Sequence, residues 1–514
     1  MQMHDIAEAC RWLRKHVTGT LRTDSRSVQP GDAFIAWPGA ATDGRAYVDS
    51  AMAAGASTCL VEHTGLDKFA FRSGPIASYA GLKLATGAIA AEYFGHPSSQ
   101  LSVLAVTGTN GKTSTAWWLA QALSALPDHC TIPCGMIGTL GVGRPPAAGR
   151  PAQPLQGEVV PTGLTTPDPV MLQKTLRDFV NQGLGACAME ASSIGIEEGR
   201  MDGTQVRVAV FTNLTQDHLD YHGSMQAYGA AKRRLFTWTG LQSAVICVDD
   251  AFGRTLADAL SGSALDVWTT SADAAATNTA RLVARRVRYE GVGICFDVCE
   301  GPLCLPLHTN LIGSYNVANL LGVVATMRSL GVRLQDAVQA CTALHPVPGG
   351  MDCLGGNDQP LVAVDYAHTP DALEQALRAV RALVEQRAGR LWCVFGCGGD
   401  RDPGKRPQMG AIAQRLADEI VITSDNPRSE APLAIMTQIA AGMQSGQAPR
   451  MEVDRASAIA RSIAQASARD VVLIAGKGHE ETQEIAGIKT AFSDLEHAAA
   501  ALRTWHLHKE GVSA

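Results

Sequence analysis

The run Thr107-Gly108-Thr109-Asn110-Gly111-Lys112-Thr113-Ser114 sets two glycines, a lysine and a hydroxyl in the order that a triphosphate calls for. The glycines allow a tight turn with backbone N–H groups facing inward, Lys112 supplies a point charge for the outer phosphates, and Thr113 offers a hydroxyl to Mg2+. The spacing is shorter than usual. Four residues between the first glycine and the Gly-Lys pair would put a glycine at Val106, whereas Gly108 and Gly111 enclose only Thr109 and Asn110. An ordinary strand-to-helix turn is the competing reading; the apolar run at 101–106 before the loop and the helical pattern from Thr115 after it favour a cradle for ATP.

Two further clusters follow strand-like runs. Glu190-Ala191-Ser192-Ser193 comes after 186–189, and Asn213-Leu214-Thr215-Gln216-Asp217-His218 comes after 208–212. A carboxylate and an imidazole at neighbouring strand ends can reach one magnesium ion, the carboxylate as the natural hard ligand and His218 as a less usual one. Alone, His218 reads as a surface or hydrogen-bonded histidine; beside Asp217 and a phosphate loop it reads as a ligand. Lys232, next to Arg233 and Arg234, is by itself a solvated helix lysine. Four more polar or glycine-rich turns follow apolar runs near the C-terminus: Asp365-Tyr366-Ala367-His368-Thr369-Pro370, Gly396-Cys397-Gly398-Gly399-Asp400-Arg401-Asp402, Asp425-Asn426-Pro427-Arg428 and Gly476-Lys477-Gly478-His479-Glu480. Each could be an ordinary loop, because these are the usual turn residues. Four on one rim point to a site.

The elements that must carry these clusters form an α/β pattern in three regions. Residues 1–100 read as a small α/β unit without a phosphate loop, and residues 101–345 alternate short strands with helices around a mostly parallel sheet. In 346–514 the alternation restarts, with strands at 361–364, 391–395, 419–423 and 471–475. In open parallel sheets ligands bind beyond the carboxyl ends of the strands, where this chain concentrates its glycine, charge and histidine. The stretch 143–161 is expected to be an exposed loop. A chain of 514 residues, 46% of them hydrophobic, fills several cores, and its net charge of −6 argues against a broad nucleic-acid surface. No apolar segment approaches the roughly 18 residues of a membrane span, so no membrane insertion and a cytoplasmic location are expected. Thirteen scattered cysteines without a paired framework lead us to expect reduced thiols, with neither disulfides nor structural zinc.

Taken in order, Thr107 to Ser114, Glu190 to Ser193, Asp217-His218, Ala231-Lys232, Gly313-Ser314-Tyr315-Asn316-Val317-Ala318-Asn319, Asp365 to Thr369 and Asp425 to Arg428 resemble the Mur ligase family nearly end to end. The resemblance implies three domains: a UDP-sugar-binding domain (1–100), a central P-loop ATPase-like domain (101–345) and a Rossmann-like C-terminal domain that binds the amino acid (346–514). It further implies ATP-driven amide formation, in which a substrate carboxylate takes the γ-phosphoryl group and an amine then displaces phosphate from the acyl phosphate. By resemblance Lys112 and the backbone of Gly108, Thr109, Asn110, Gly111 and Ser114 hold the phosphates, Thr113 and Glu190 bind one magnesium, and His218 helps bind a second. Lys232 matches a carbamylated lysine whose carbamate serves a metal. Asn316 and Asn319 match nucleotide-contacting asparagines, and Asp365 and His368 fall in a motif brought to ATP by the third domain. Ser25, Thr165, Thr166, Ser192 and Arg200 match the nucleotide-sugar site, although Thr165-Thr166-Pro167 also reads as a helix start.

The member most resembled adds the third residue of the peptidoglycan precursor, which implies a UDP-N-acetylmuramoyl dipeptide and meso-diaminopimelate as substrates; a monomer is expected, although the sequence does not itself reveal the oligomeric state. The amino acid can be argued physically. Arg428 offers a planar fork to a carboxylate, Asp425 and Glu480 can accept from an ammonium, Arg401 adds a cation, and Asn426, Pro427 and Gly476 shape the same rim. Lysine would leave Arg428 unpaired, at a cost of a few kcal/mol or about a hundredfold in discrimination. A lysine-adding relative, a folylpolyglutamate synthase-like ligase and a non-catalytic nucleotide-binding scaffold are the rival readings. The chain departs from the family pattern at Gly350, where arginine is usual, and at Asp352, where glutamate is; Ile194 stands in place of a common histidine and Glu198 in place of a glutamine.

Overall fold

The computed structural model describes residues 1–39, 42–72, 74–146, 159–273, 280–290, 293–356, 358–444 and 449–510. Its three α/β units each wrap helices around a largely parallel sheet. The first holds five parallel strands in the order Gln2–Met3, Ile76–Tyr79, Thr58–Glu62, Ala33–Ala36, Leu21–Arg22. Its strand Thr58–Glu62 is buried throughout, as a strand covered on both faces should be.

The central sheet places Ser102–Thr107 between Ala186–Glu190 and Val208–Phe211, all parallel. The carboxyl ends of these three strands therefore lie side by side, and the loops leaving them share one rim. Helices Lys112–Ser124 and Tyr315–Ser329 cover one face, where Trp117, Trp118 and Leu320 join the core, and Phe179, Phe211 and Phe236 pack on the other. Asp168 caps the helix Pro169–Asn181 by accepting from the N–H groups of Val170 and Met171, with Pro169 at the first position, where its missing donor costs nothing. Both ends of the sheet turn antiparallel. Leu282–Glu290, Gly293–Glu300 and Leu303–His308 extend one edge, and Gly141–Gly143 pairs with Val159–Val160 at the other. Of the expected loop at 143–161, residues 147–158 lie outside the described residues, while its two flanks form a strand pair.

The edge hairpin corrects one expectation. Cys299 faces Cys304 across the antiparallel register, with Cα atoms 4.1 Å apart, and a disulfide joins them. The strand pairing brings these thiols together, so no spacing framework announces them. No disulfide joins any of the other eleven cysteines, and nine of them are buried. His129, Cys130 and Asp336 bring three possible metal-ligand atoms within 4.8 Å of one another, but both Asp336 oxygens already accept from Arg333. Among the described residues no helix is long and apolar enough to cross a membrane.

In the third unit Asp352–Gly355 pairs antiparallel with Leu361–Asp365, followed in space by Val471–Ala475, Leu391–Phe395, Glu419–Thr423 and Arg450–Glu452, all parallel. The four C-terminal turns thus leave adjacent parallel strands. Arg455, buried and paired with Asp494 at 2.7 Å, donates to the carbonyls of Ser424 (3.2 Å) and Ala475 (3.0 Å), tying together the starts of two of those turns. A separate hairpin, Thr482–Ile485 with Ile488–Ala491, completes the unit.

Candidate active site

The phosphate loop is held open by its neighbours. Gly108 and Gly111 both have positive φ, and a Cβ on Gly108 would strike the Thr212 hydroxyl while one on Gly111 would strike the Asn319 amide. The next strand's loop laces onto it: Thr109 N donates to Asn213 O (2.8 Å), Asn110 N to Asn213 Oδ1 (2.9 Å), and Thr212 Oγ1 to Asn110 O (2.6 Å). Lys112, at the first turn of its helix, folds back to donate to the carbonyls of Gly108 (3.0 Å) and Thr109 (2.7 Å). Burial pulls its pKa down, opposed by Glu190 and Asp217.

Glu190, the fully buried last residue of its strand, accepts from the Thr113 hydroxyl (2.9 Å), the Thr139 N–H (2.8 Å) and the Thr139 hydroxyl (3.2 Å). Burial raises its pKa, while Lys112 and the Thr139 N–H pull it back. Thr113 and Glu190 in direct contact form a hard-oxygen donor pair suited to Mg2+. Burial pushes His218 down to about 4 against the opposing charge of Asp217, so its imidazole is neutral near pH 7 and carries a lone pair for a metal.

The solvated-lysine reading of Lys232 fails. Its helix Met225–Arg233 turns the side chain inward to 1% exposure, with Nζ donating to Gly108 O at 2.7 Å and lying 4.3 Å from the centre of the Tyr228 ring. Burial, reinforced by Lys112, holds its pKa well below that of an ordinary lysine. The neutral amine so favoured is the form that adds to CO2.

The third unit faces this loop. Asn110 Nδ2 donates to Asp371 Oδ2 (2.9 Å), and Gln216 Nε2 to Asp402 Oδ2 (3.5 Å). One cavity of about 1150 Å³ runs between the two rims, lined by residues 109–114, Glu190, His218 and Lys232 on one side and by Arg401, Asp425, Asn426, Arg428, Gly476 and Glu480 on the other. Asn316, Asn319, Asp365, His368, Thr165 and Ser192 also line it. Among the described residues buried Asp425 Oδ2 has no hydrogen-bond partner, which leaves an acceptor for a donor such as an ammonium.

Ser25, Thr166, Arg200, Pro427 and Gly108 do not line the cavity. Ser25 begins a short turn of the first unit, and the Thr166 hydroxyl donates to Glu190 O (2.8 Å), with Arg200 donating to Thr166 O (3.1 Å). Thr139 and Asp371 escaped the sequence reading because they stand in no motif, and Asn213 and Tyr228 were given no role there although they lie in runs around Asp217 and Lys232; only the folded strand ends bring them to the loop. The departure at Glu198 has its own partners: Lys83 from the first unit (2.6 Å) and the Tyr221 hydroxyl (2.6 Å). At the Gly350 departure, Asp352 accepts from the Gly349 N–H (2.7 Å), which closes the turn without an arginine.

Asp365 supplies a pH test. Burial raises it from an ordinary 3.8 to about 6, although the Ala367 N–H favours its charged form. The fold therefore prefers the protonated acid: this stabilisation is complete below about pH 4 and is lost as pH rises through 6. The interval corresponds to about 3 kcal/mol. Asp365→Asn, which can still accept from Ala367, is expected to gain stability over wild type across pH 4 to 7 and to hold that gain above. Unfolding followed at several pH values checks this; a difference that does not vary with pH would refute it.

Family models match three segments: the Mur ligase middle domain at 106–327, the Mur ligase glutamate ligase domain at 350–478 and the Mur ligase family catalytic domain at 19–82. The UDP-N-acetylmuramoyl-L-alanyl-D-glutamate–2,6-diaminopimelate ligase of Acidovorax sp. (strain JS42) is 57% identical over 500 residues, 97% of each chain. The protein of the same name from Ralstonia nicotianae is 47% identical over 97% of this chain and 96% of its own. A solved structure of a ligase with that name, 34% identical, covers 95% of each chain with a TM-score of 0.62.

Proposed function

The chain belongs to the Mur ligase family, and from that premise we propose that it joins meso-diaminopimelate to UDP-N-acetylmuramoyl-L-alanyl-D-glutamate at the cost of ATP, for peptidoglycan precursor synthesis. The observation that carries this reading is the single cavity lined by the phosphate loop on one side and by the Asp425–Glu480 rim on the other. A phosphoryl donor, a carboxylate and an amine can meet there.

The D-glutamate side-chain carboxylate attacks the γ-phosphorus of ATP, giving an acyl phosphate and ADP. The free amine of diaminopimelate then attacks the carbonyl, a tetrahedral intermediate collapses, phosphate leaves and the amine proton is lost. Such chemistry is carried by positioning and charge neutralisation. Lys112 and the loop N–H groups other than those of Thr109 and Asn110, which donate to Asn213, hold the outer phosphates and keep their oxygens in line with the acceptor. Thr113, Glu190, His218 and a carbamylated Lys232 would hold Mg2+, which neutralises the gathered oxygens. Arg428 and Arg401 take the distal carboxylate of the amino acid, and Asp425 and Glu480 its ammonium. Thr165 and Ser192 face the nucleotide-sugar, and Asn316 and Asn319 the ATP. In this reading 1–100 serves the UDP-sugar, 101–345 ATP and 346–514 the amino acid. The chain works, in the same reading, as a monomer in the cytoplasm.

Phosphate release in the presence of ATP, the UDP-muramoyl dipeptide and an added amino acid tests the reading. Release is expected with diaminopimelate and near background with lysine. No release with either sinks the enzyme reading, and release with lysine alone sinks the specificity.

A further inference from the structure

Lys477 is fully buried beneath the amino-acid rim and takes no part in lining the cavity. Its Nζ makes three hydrogen bonds: to Glu480 Oε2 (2.7 Å), Thr482 O (2.7 Å) and Asn426 Oδ1 (3.1 Å). An ammonium has three donors, so none is left for a ligand. Two of its partners do line the cavity. Asn426 Oδ1 also accepts from Glu484 N (3.0 Å), which turns the amide so that Nδ2 donates to Glu480 Oε2 at 2.7 Å. Two donors thus converge on one oxygen of Glu480, while its side chain, which lines the cavity, remains 28% exposed.

We propose that Lys477 is a positioning residue for amino-acid selection: it fixes the Glu480 carboxylate so that Oε1 meets the ammonium at the distal end of the incoming amino acid. The inference rests on the reading that Asp425, Arg428 and Glu480 hold that end group. With Lys477 in place, the acceptor for the ammonium stands at a set distance from the Arg428 fork that takes the carboxylate, and a zwitterionic end group is measured by both. Without it, Glu480 turns freely, and the ammonium must pay the cost of ordering it.

The test compares KM values for diaminopimelate, ATP and the UDP-muramoyl dipeptide in Lys477→Met, Glu480→Gln and the double variant. KM does not depend on the fraction of enzyme folded, so partial unfolding lowers apparent turnover without moving it. Lys477→Met is expected to raise the diaminopimelate KM on the order of tenfold, the scale of one misplaced charge-assisted hydrogen bond, with the other two KM values within about twofold of wild type. Because Lys477 acts through Glu480, the double variant is expected to be no worse than Glu480→Gln alone. If Lys477→Met does not fold, Lys477→Gln, which keeps a donor to Thr482 O, carries the comparison with the same expectation. The proposal is overturned if Glu480→Gln raises the diaminopimelate KM while Lys477→Met leaves it alone, if all three KM values rise together, or if the two effects add. An unchanged KM in Glu480→Gln itself shows that the underlying site reading is wrong, and the proposal falls with it.

Discussion

Lys232→Ala is expected to lower turnover on the order of a thousandfold, the scale of losing a preorganised charge at a phosphoryl-transfer site, and added acetate or formate is expected to restore part of it. The side chain is buried among Gly108 O, the Tyr228 ring and the charge of Lys112. Burial and Lys112 both disfavour an ammonium there, and a cation would also repel magnesium. The neutral amine can instead add CO2, forming an N–C bond and losing a proton, which leaves a carboxylate at the end of the side chain. Alanine removes that carboxylate and opens room for a small acid to stand in for it. Steady-state phosphate release with and without the added acid checks the point. Wild-type-like activity in the variant would refute the carbamate role, and loss without rescue by any short acid would weaken it in favour of a packing role.

Legibility followed the periodicity of the chain. Strands buried on both faces appear as unbroken apolar runs, so Leu391–Phe395, Glu419–Thr423 and Val471–Ala475 match their expected bounds, and the strand before the phosphate loop, Ser102–Thr107, is displaced by one residue. The motif residues among the cavity lining were legible for the same reason, because parallel strands deliver their carboxyl-end turns to one rim. What could not be read depended on partners distant in sequence. Thr139 meets Glu190 across 51 residues, Asn110 meets Asp371 across 261, and the Arg455–Asp494 pair beneath the rim belongs to no turn motif. The disulfide was hidden because a register, not a spacing, pairs Cys299 with Cys304. Lys232 looked like surface because its neighbours in sequence, Arg233 and Arg234, are exposed while it faces the opposite side of the helix.

Arg428→Lys is expected to lower kcat/KM for diaminopimelate about a hundredfold while leaving the KM for ATP within about threefold of wild type. The backbone here is fixed from both sides: Arg428 N donates to Glu484 O (3.0 Å) and Ala486 N donates to Arg428 O (2.7 Å), in a left-handed conformation at φ 51°. The hairpin beside it therefore sets where the side chain begins. Its Nη1 donates to Gly399 O (2.7 Å), which anchors one arm of the guanidinium fork, and the side chain lines the cavity. Lysine keeps the charge and loses the fork, so one ammonium must serve both Gly399 O and the ligand carboxylate. The substitution leaves the phosphate loop untouched, and this separates selection of the amino acid from activation of the carboxylate. Equal losses toward diaminopimelate and ATP would contradict the assignment of Arg428 to the amino acid. A variant that turned to free lysine as its better substrate would support it most strongly, because it would show that the guanidinium is the group rejecting an end that lacks a carboxylate.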